Sequence, residues 1–398
     1  MIRQAMEGQK QLEPRRLRAA AKQCQSALLE QLEALVAIES PSEDKSAVDR
    51  AAMLVAEWLQ PLGGKVRWHR QKNLGDLLEV RLQPVHSRNN SRKPVLLLGH
   101  LDTVWPVGTL GIMPFRVSRG RAFGPGIFDM KAGVVMAVHA LALLRQAEAL
   151  HTSVIVLLNS EEEIGSPCSR VVTEKLAQEC AAVFVLEPAQ GLQGAYKTAR
   201  KGVGQYAIHV LGLAAHSGVD FEQGHSAVLE LARLLGKISR FTDLKSGLTV
   251  NPGLLQGGTR VNVIAAEATA EIDVRIARMP DAARIERLFR ALRTTDRACT
   301  LTVTGGINRP PMERGPGTIA LFHRAKELAA GLGFALTEAS TGGGSDGNFT
   351  AALGIPTLDG MGAVGEGAHA AHESILLNAL APRTALLAAM IASHEPIE

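Results

Sequence analysis

Aromatic residues are scarce in this 398-residue chain, only 4% of it, and that leaves little with which to stack the bases of a nucleic acid. Charge of one sign is scarce too. The 43 basic and 39 acidic residues leave a net +4, which gives nucleic acid no electrostatic footprint. Cysteine is limited to Cys24, Cys168, Cys180 and Cys299, scattered without a CxxC pair. That spacing speaks against a disulfide framework or a thiolate metal site and fits a reducing compartment. No run reaches the roughly 18 apolar residues of a membrane span, and the start, MIRQAMEGQKQLEPRRLRAAAKQ, has no apolar h-region. The expectation is a cytoplasmic protein with no membrane and no nucleic-acid partner. The glycine-rich stretches GPGIFD and GGGSDG do not read GxGxxG after a strand, and no GxxxxGK[ST] occurs, so a nucleotide-binding enzyme is set aside.

What is present is ordinary globular material, 46% hydrophobic and 21% charged, in a chain long enough to expect two domains. Apolar positions recur every three or four residues in LLEQLEALVAI and AVDRAAMLVAEWL, a helical period. Short apolar runs follow, DLLEV, PVLLLGH, SVIVLLN and AAVFVLE, with the helical stretch KAGVVMAVHALALLRQ between the second and third. That alternation predicts an α/β domain with buried strands. From about 206 the order becomes strand, helix, strand, strand, helix, strand, which closes as a ferredoxin-like βαββαβ sandwich. After NRPPMERGPG the helix and strand alternation resumes. The expected organisation is a discontinuous α/β domain, 1–205 and 307–398, with a small domain inserted at 206–306. The nearest thing to a linker is PVHSRNNSRKP.

Ligands of open α/β sheets collect at the carboxyl ends of strands, and chemistry-bearing residues follow each apolar run. GHLDTV supplies His100 and Asp102, GPGIFDMKAG supplies Asp129, NSEEEIGS supplies Glu161, Glu162 and Glu163, and LEPA supplies Glu187. Near the C-terminus GEGAHAAHES offers His369, His372 and Glu373. Taken singly each is unremarkable in kind: an Asp before a helix is usually an N-cap, and an acidic triplet is usually a solvated patch. Carboxylates converging on one sheet edge, however, cost several kcal/mol per buried ion unless a cation compensates. Two divalent metals supply that charge, and imidazole plus carboxylate without thiolate suits catalytic zinc, with cobalt or manganese as alternatives.

GHLDTV, GPGIFDMKAG, EEEIGS, LEPA, AAHSG, GGGSD and GAHAAHE stand in the order and approximate spacing of the M20 metallopeptidase family, and the chain resembles its glutamate carboxypeptidase branch, the carboxypeptidase G2 type. The resemblance covers about residues 25 to 393. It implies a zinc-exopeptidase-like catalytic domain, a mixed sheet flanked by helices, carrying an inserted lid and dimerisation domain. It also implies two Zn2+ per subunit (Co2+ or Mn2+ possible): His100 and Glu187 on one, Glu163 and His369 on the other, and Asp129 bridging. Asp102 then accepts from the far nitrogen of His100, and Glu162 is the general base on the bridging water. By the same resemblance His216 donates to the oxyanion in the partner subunit's site, and Asn262 and Arg309 hold the substrate's terminal carboxylate. A homodimer through the inserted domain follows, acting on a small peptide or N-acyl amino acid.

Two departures from the family pattern stand out. DMKAG replaces the family's DMKGG or DDKGG, so Ala132 takes a glycine's place at a helix start. His369 is preferred over His372 because Glu373 follows it by four residues. The function implied is a di-zinc hydrolase releasing a C-terminal amino acid; the alternatives are an N-acyl amino acid deacylase of the acetylornithine deacetylase or succinyl-diaminopimelate desuccinylase type, and a non-catalytic small-molecule-binding protein on the same fold. Arg260, Arg275, Lys197, Arg200 and Lys201 sit near the motifs without an assigned role.

Overall fold

The computed structural model describes residues 13–85 and 93–393. Most of the linker-like stretch PVHSRNNSRKP, and the first dozen residues of the chain, lie outside them. The chain divides into two compact units, one of Met1–Thr198, Arg314–Ser340 and Ser345–Glu398, the other of Ala199–Glu313 with Thr341–Gly344. The second unit thus begins and ends a few residues outside the 206–306 stretch outlined by the sequence. It also takes in part of the glycine-rich loop TGGGSDGN.

The first unit is built on a six-stranded sheet in the order Lys65–His69, Leu77–Leu82, Val154–Asn159, Val95–His100, Ala182–Val185, Thr357–Leu358. The first two strands and the Leu77–Leu82 to Val154–Asn159 pair are antiparallel, and the remaining pairs are parallel. Val95–His100, Val154–Asn159 and Ala182–Val185 are buried at every position, which explains their unbroken apolar sequence. Because these three run in the same direction, their carboxyl ends emerge at one edge.

Helix Ala132–Gln146 packs in the main core of this unit. Together with the turn before it, Ile127–Gln146 is long and apolar enough to cross a membrane by length and composition, and 89% of its apolar window is buried in the protein. The expectation that no run reaches that length is therefore corrected. A helix enclosed by sheet and neighbouring helices carries no polar face to interrupt its sequence.

The second unit is an antiparallel sheet in the order Thr249–Gly257, Glu267–Ile276, Gly202–Leu211, Thr300–Arg309. Tyr206, Ile208 and Val210 lie opposite Ile272, Ala270 and Ala268, and all six side chains are buried. Strict alternation along both strands leaves that face apolar. Leu231, Leu234 and Ile238 from helix Ala227–Ile238, and Ile285 and Phe289 from helix Met279–Arg290, complete the same core. With strand order 2-3-1-4 this is the ferredoxin-like arrangement.

Candidate metal centre

His100 is the last residue of its strand and is 1% exposed. Two residues on, Asp102 is wholly buried, and its carboxylate is saturated: Oδ2 accepts from Ser42 Oγ at 2.6 Å and from Glu163 N at 3.0 Å, and Oδ1 from Glu162 N at 3.1 Å. The nearer acceptor for His100 Nδ1 is Asp102's own backbone oxygen at 3.0 Å, with carboxylate Oδ1 at 3.4 Å. Asp102 therefore docks the acidic turn as well as facing the imidazole.

Asp129 is no N-cap, because that position of helix Ala132–Gln146 falls on Lys131, two residues further on. The Asp129 backbone is non-helical (φ −115°, ψ 94°), and a cis peptide bond joins it to Met130. The turn around it is held by Glu373, whose Oε1 accepts from Phe128 N at 2.8 Å and Asp129 N at 3.0 Å, and whose Oε2 accepts from Gly126 N at 2.9 Å and Trp105 Nε1 at 2.8 Å. Burial raises the Glu373 carboxyl above its usual range, against the pull of these donors. Lys131, also buried, donates to Ile38 O at 2.7 Å; loss of solvation brings it down to about 7.

The residues around Asp129 form two groups of three donors, His100, Asp129 and Glu187, and Asp129, Glu163 and His369, with donor atoms in each group within 4.8 Å of one another. Asp129 belongs to both. Its Oδ1 lies 3.4 Å from His100 Nε2, which is 3.5 Å from Glu187 Oε1. Its Oδ2 lies 3.5 Å from His369 Nε2, which is 3.2 Å from either oxygen of Glu163. His369 sits at the open side, its side chain 50% exposed and its backbone left-handed (φ 61°). His372 is exposed and belongs to neither group, nor does the half-buried Glu162.

The electrostatics of the cluster call for positive charge. Asp129 and Glu163 hold the His369 imidazole up at about 10. Burial disfavours the charged form of His100, yet Asp102, Asp129 and Glu187 outweigh it and raise the imidazole well above its ordinary value. Burial also raises Glu163, whereas the two imidazoles overcome burial at Asp129 and hold it low. Among the described residues, buried His100 Nε2 and Asp129 Oδ1, 3.4 Å apart, meet no partner in hydrogen-bond geometry, a costly state for polar atoms. A cation on each side of Asp129 supplies both the missing charge and the missing partner, so these residues fit a pair of divalent ions.

His216, Asn262 and Arg309 all lie in the second unit. His216 and Asn262 are exposed on adjacent segments, joined by Ser217 N donating to Asn262 O at 3.1 Å and by the bridge of His216 with Val263. Arg309 ends the strand Thr300–Arg309 and is 7% exposed. Of the residues left without a role, Arg200 is buried and donates to the carbonyls of Gly343 and Gly344 at 3.2 and 3.0 Å, and Arg275 pairs with Asp273. These are structural ties. Glu161, a strand-end candidate with no chemistry assigned to it from the sequence, is fully buried, and the docking contacts of Asp102 and Glu373 have no signal in the sequence. Identical neighbouring letters gave no cue to the first.

Two donor groups sharing a carboxylate at the carboxyl edge of an α/β sheet define a metal-dependent hydrolase. The model of peptidase family M20/M25/M40 matches residues 96–393, and the chain belongs to that family. It is 30% identical over 383 residues to carboxypeptidase G2 of Pseudomonas sp. (strain RS-16), covering 94% of this chain and 90% of that protein. It is 31% identical to the peptidase M20 domain-containing protein C757.05c of Schizosaccharomyces pombe over 48% of this chain and 46% of that one. Among solved structures, aminopeptidase PepT from Bacillus cereus superposes with a TM-score of 0.76 at 22% identity, over 92% of this chain and 98% of that one. The Bacillus subtilis YXEP protein, described as a dinuclear metal binding peptidase, superposes with a TM-score of 0.68 at 16% identity, over 93% and 98%. These superpositions speak for the fold.

Proposed function

We propose that the chain is a two-metal exopeptidase that hydrolyses the last amide bond of a small peptide or N-acylated amino acid and releases the C-terminal amino acid, of the kind the name carboxypeptidase G2 describes. The observation that carries this reading is Asp129, one carboxylate whose two oxygens each face a separate donor group. His100, Asp129 and Glu187 would hold one ion and Asp129, Glu163 and His369 the other; the donor chemistry suits Zn2+, with Co2+ or Mn2+ as substitutes. Bound there, the ions lower the pKa of a water and polarise the scissile carbonyl.

Glu162 is the proton carrier. It follows the sheet edge directly, its N–H is fixed by Asp102, and it belongs to neither donor group; it is assigned to take a proton from the attacking water and deliver it to the departing amine. Asp102 keeps His100 oriented, its backbone oxygen facing Nδ1 so that Nε2 is turned toward Asp129 and Glu187. His216 is assigned as donor to the tetrahedral oxyanion, and His216→Ala is expected to lower kcat by about 10²- to 10³-fold. Asn262 and Arg309 are assigned to the substrate's carboxylate, for which the planar fork of arginine is suited.

The second unit is proposed as a homodimer surface. Leu229 on its helix and Leu254 and Leu255 on the edge strand Thr249–Gly257 are 57%, 61% and 59% exposed, and an unpaired apolar edge is a pairing surface. Free thiols at all four cysteines suit a cytoplasmic location. The activity test is a panel of glutamyl dipeptides, folates, N-acetylornithine and N-succinyl-diaminopimelate with zinc-loaded protein. Release of a C-terminal amino acid is expected to be fastest from glutamyl substrates; no turnover on any of them contradicts the proposal.

A further inference from the structure

Of three adjacent glutamates, Glu161 is the one that the chemistry above does not use, and it is the most deeply buried. Its Oε1 accepts from the backbone N–H groups of Cys168 at 3.1 Å and Ser169 at 2.5 Å, and its Oε2 lies 2.8 Å from Ser160 Oγ. Those two N–H groups open helix Ser169–Glu179, whose own N-cap residue, Cys168, makes no side-chain cap. Glu161 supplies the acceptor from eight residues upstream, at a helix end where negative charge is favoured. Its backbone oxygen also accepts from Ser166 N at 2.9 Å, and Glu162 O accepts from Gly165 N at 2.9 Å. The short helical turn Glu162–Ile164 is therefore closed upon its own starting residue.

We infer that Glu161 is a positioning residue for the metal-binding turn: by tying that turn to the start of helix Ser169–Glu179 it sets where Glu163 is held. The inference rests on the two-metal reading. Asp102 fixes the same turn from the His100 strand through the N–H groups of Glu162 and Glu163, so Glu163 is gripped from two sides and Glu161 is the outer grip. Glu163 serves only the donor group that contains His369. Loss of Glu161 therefore acts on one ion and spares the other.

Glutamine at this position keeps the whole arrangement. Its amide oxygen accepts the two helix N–H groups, and its amide N–H donates to Ser160 Oγ, whose own hydrogen is directed to Gly75 O at 2.6 Å. Alanine removes the acceptor and leaves two N–H groups without it.

The test is calorimetric titration of metal-stripped wild type, Glu161→Ala, Glu161→Gln and Glu161→Asp with Zn2+ under chelator competition, with thermal melting as the check on folding. Wild type is expected to bind two equivalents. Glu161→Ala is expected to keep one affinity and to weaken the other by about 10- to 100-fold, the usual effect of removing a support behind a ligand. Glu161→Gln is expected to restore both. Should the alanine variant not fold, Glu161→Asp, shorter by one methylene, is expected to show the same one-sided weakening in a folded protein. Two unchanged affinities, equal weakening of both, or a glutamine variant as impaired as the alanine one overturn the inference. A wild type that binds fewer than two equivalents overturns the two-metal reading itself, and this inference with it.

Discussion

Asp129 and Glu162 show how differently two acidic side chains fare when only the sequence is at hand. An Asp ahead of a helix is most simply a cap, and nothing in GPGIFDMKAG alone says that the helix starts two residues too late for Asp129 to cap it or that Glu373, far along the chain, holds its N–H. The glutamates were legible as strand-end carboxylates, whereas their separate jobs depend on the turn geometry after Asn159. Replacing Glu162 by Gln is expected to leave Zn2+ binding intact and reduce kcat by roughly 10²- to 10⁴-fold, the share of a general base; steady-state rates beside metal content of the purified variant decide it. The two C-terminal histidines separate as cleanly. His369→Ala is expected to lose one equivalent of Zn2+, and His372→Ala to keep both, because only the imidazole of His369 reaches Asp129 and Glu163.

Among the elements, the strands were the readable part, since a strand covered on both faces has no polar residues to obscure it. Contacts between elements were not readable. A Cβ on Gly133, in the first turn of helix Ala132–Gln146, would stand 2.0 Å from the backbone oxygen of Leu186. Neighbouring Ala132 is fully buried with its methyl accommodated, so of the two small residues after Lys131 only the second must be glycine. Gly133→Ala is expected to cost about 1–3 kcal/mol in urea unfolding, and to disturb Glu187 one residue beyond the clash.

Helix Lys45–Leu59 is tied to the turn before strand Leu77–Leu82 by Asp76, which accepts from Lys45 Nζ at 2.6 Å, Gln71 N at 2.8 Å and Arg70. Burial raises this carboxyl, but Lys45, Gln71 and Arg70 more than offset it and leave it below the ordinary 3.8. A lowered carboxyl contributes stability that is fully present above the unfolded value and is lost as pH falls through the folded one. The gap in Tm between wild type and Asp76→Asn is therefore expected to be widest near neutrality and to close below about pH 4. A gap unchanged across that range would contradict the account of Asp76.

For the molecule as a whole, the order of helices and strands was enough to separate an α/β unit from a ferredoxin-like one, because the hydrophobic period changes where the chain changes unit. The limits of the second unit were harder to see. Tyr196–Arg200 is a strand that the sequence conceals among lysine and arginine, and Thr341–Gly344 joins the second unit through contacts distant in sequence. The exposed leucines of that unit bear on assembly. Leu229→Glu combined with Leu254→Glu is expected to convert a dimer to a monomer in sedimentation analysis while leaving Zn2+ content unchanged; a wild type already monomeric removes the dimer from the proposal.

The central claim is that one carboxylate, Asp129, serves two ions at once, and it is tested most directly by counting. Metal-stripped wild type and Asp129→Ala are titrated with Co2+ and the bound ions counted by elemental analysis after desalting. The account predicts two ions per chain in the wild type and weakened retention of both in the variant. One ion or none in the wild type, or a variant that still retains both at wild-type affinity, would contradict it.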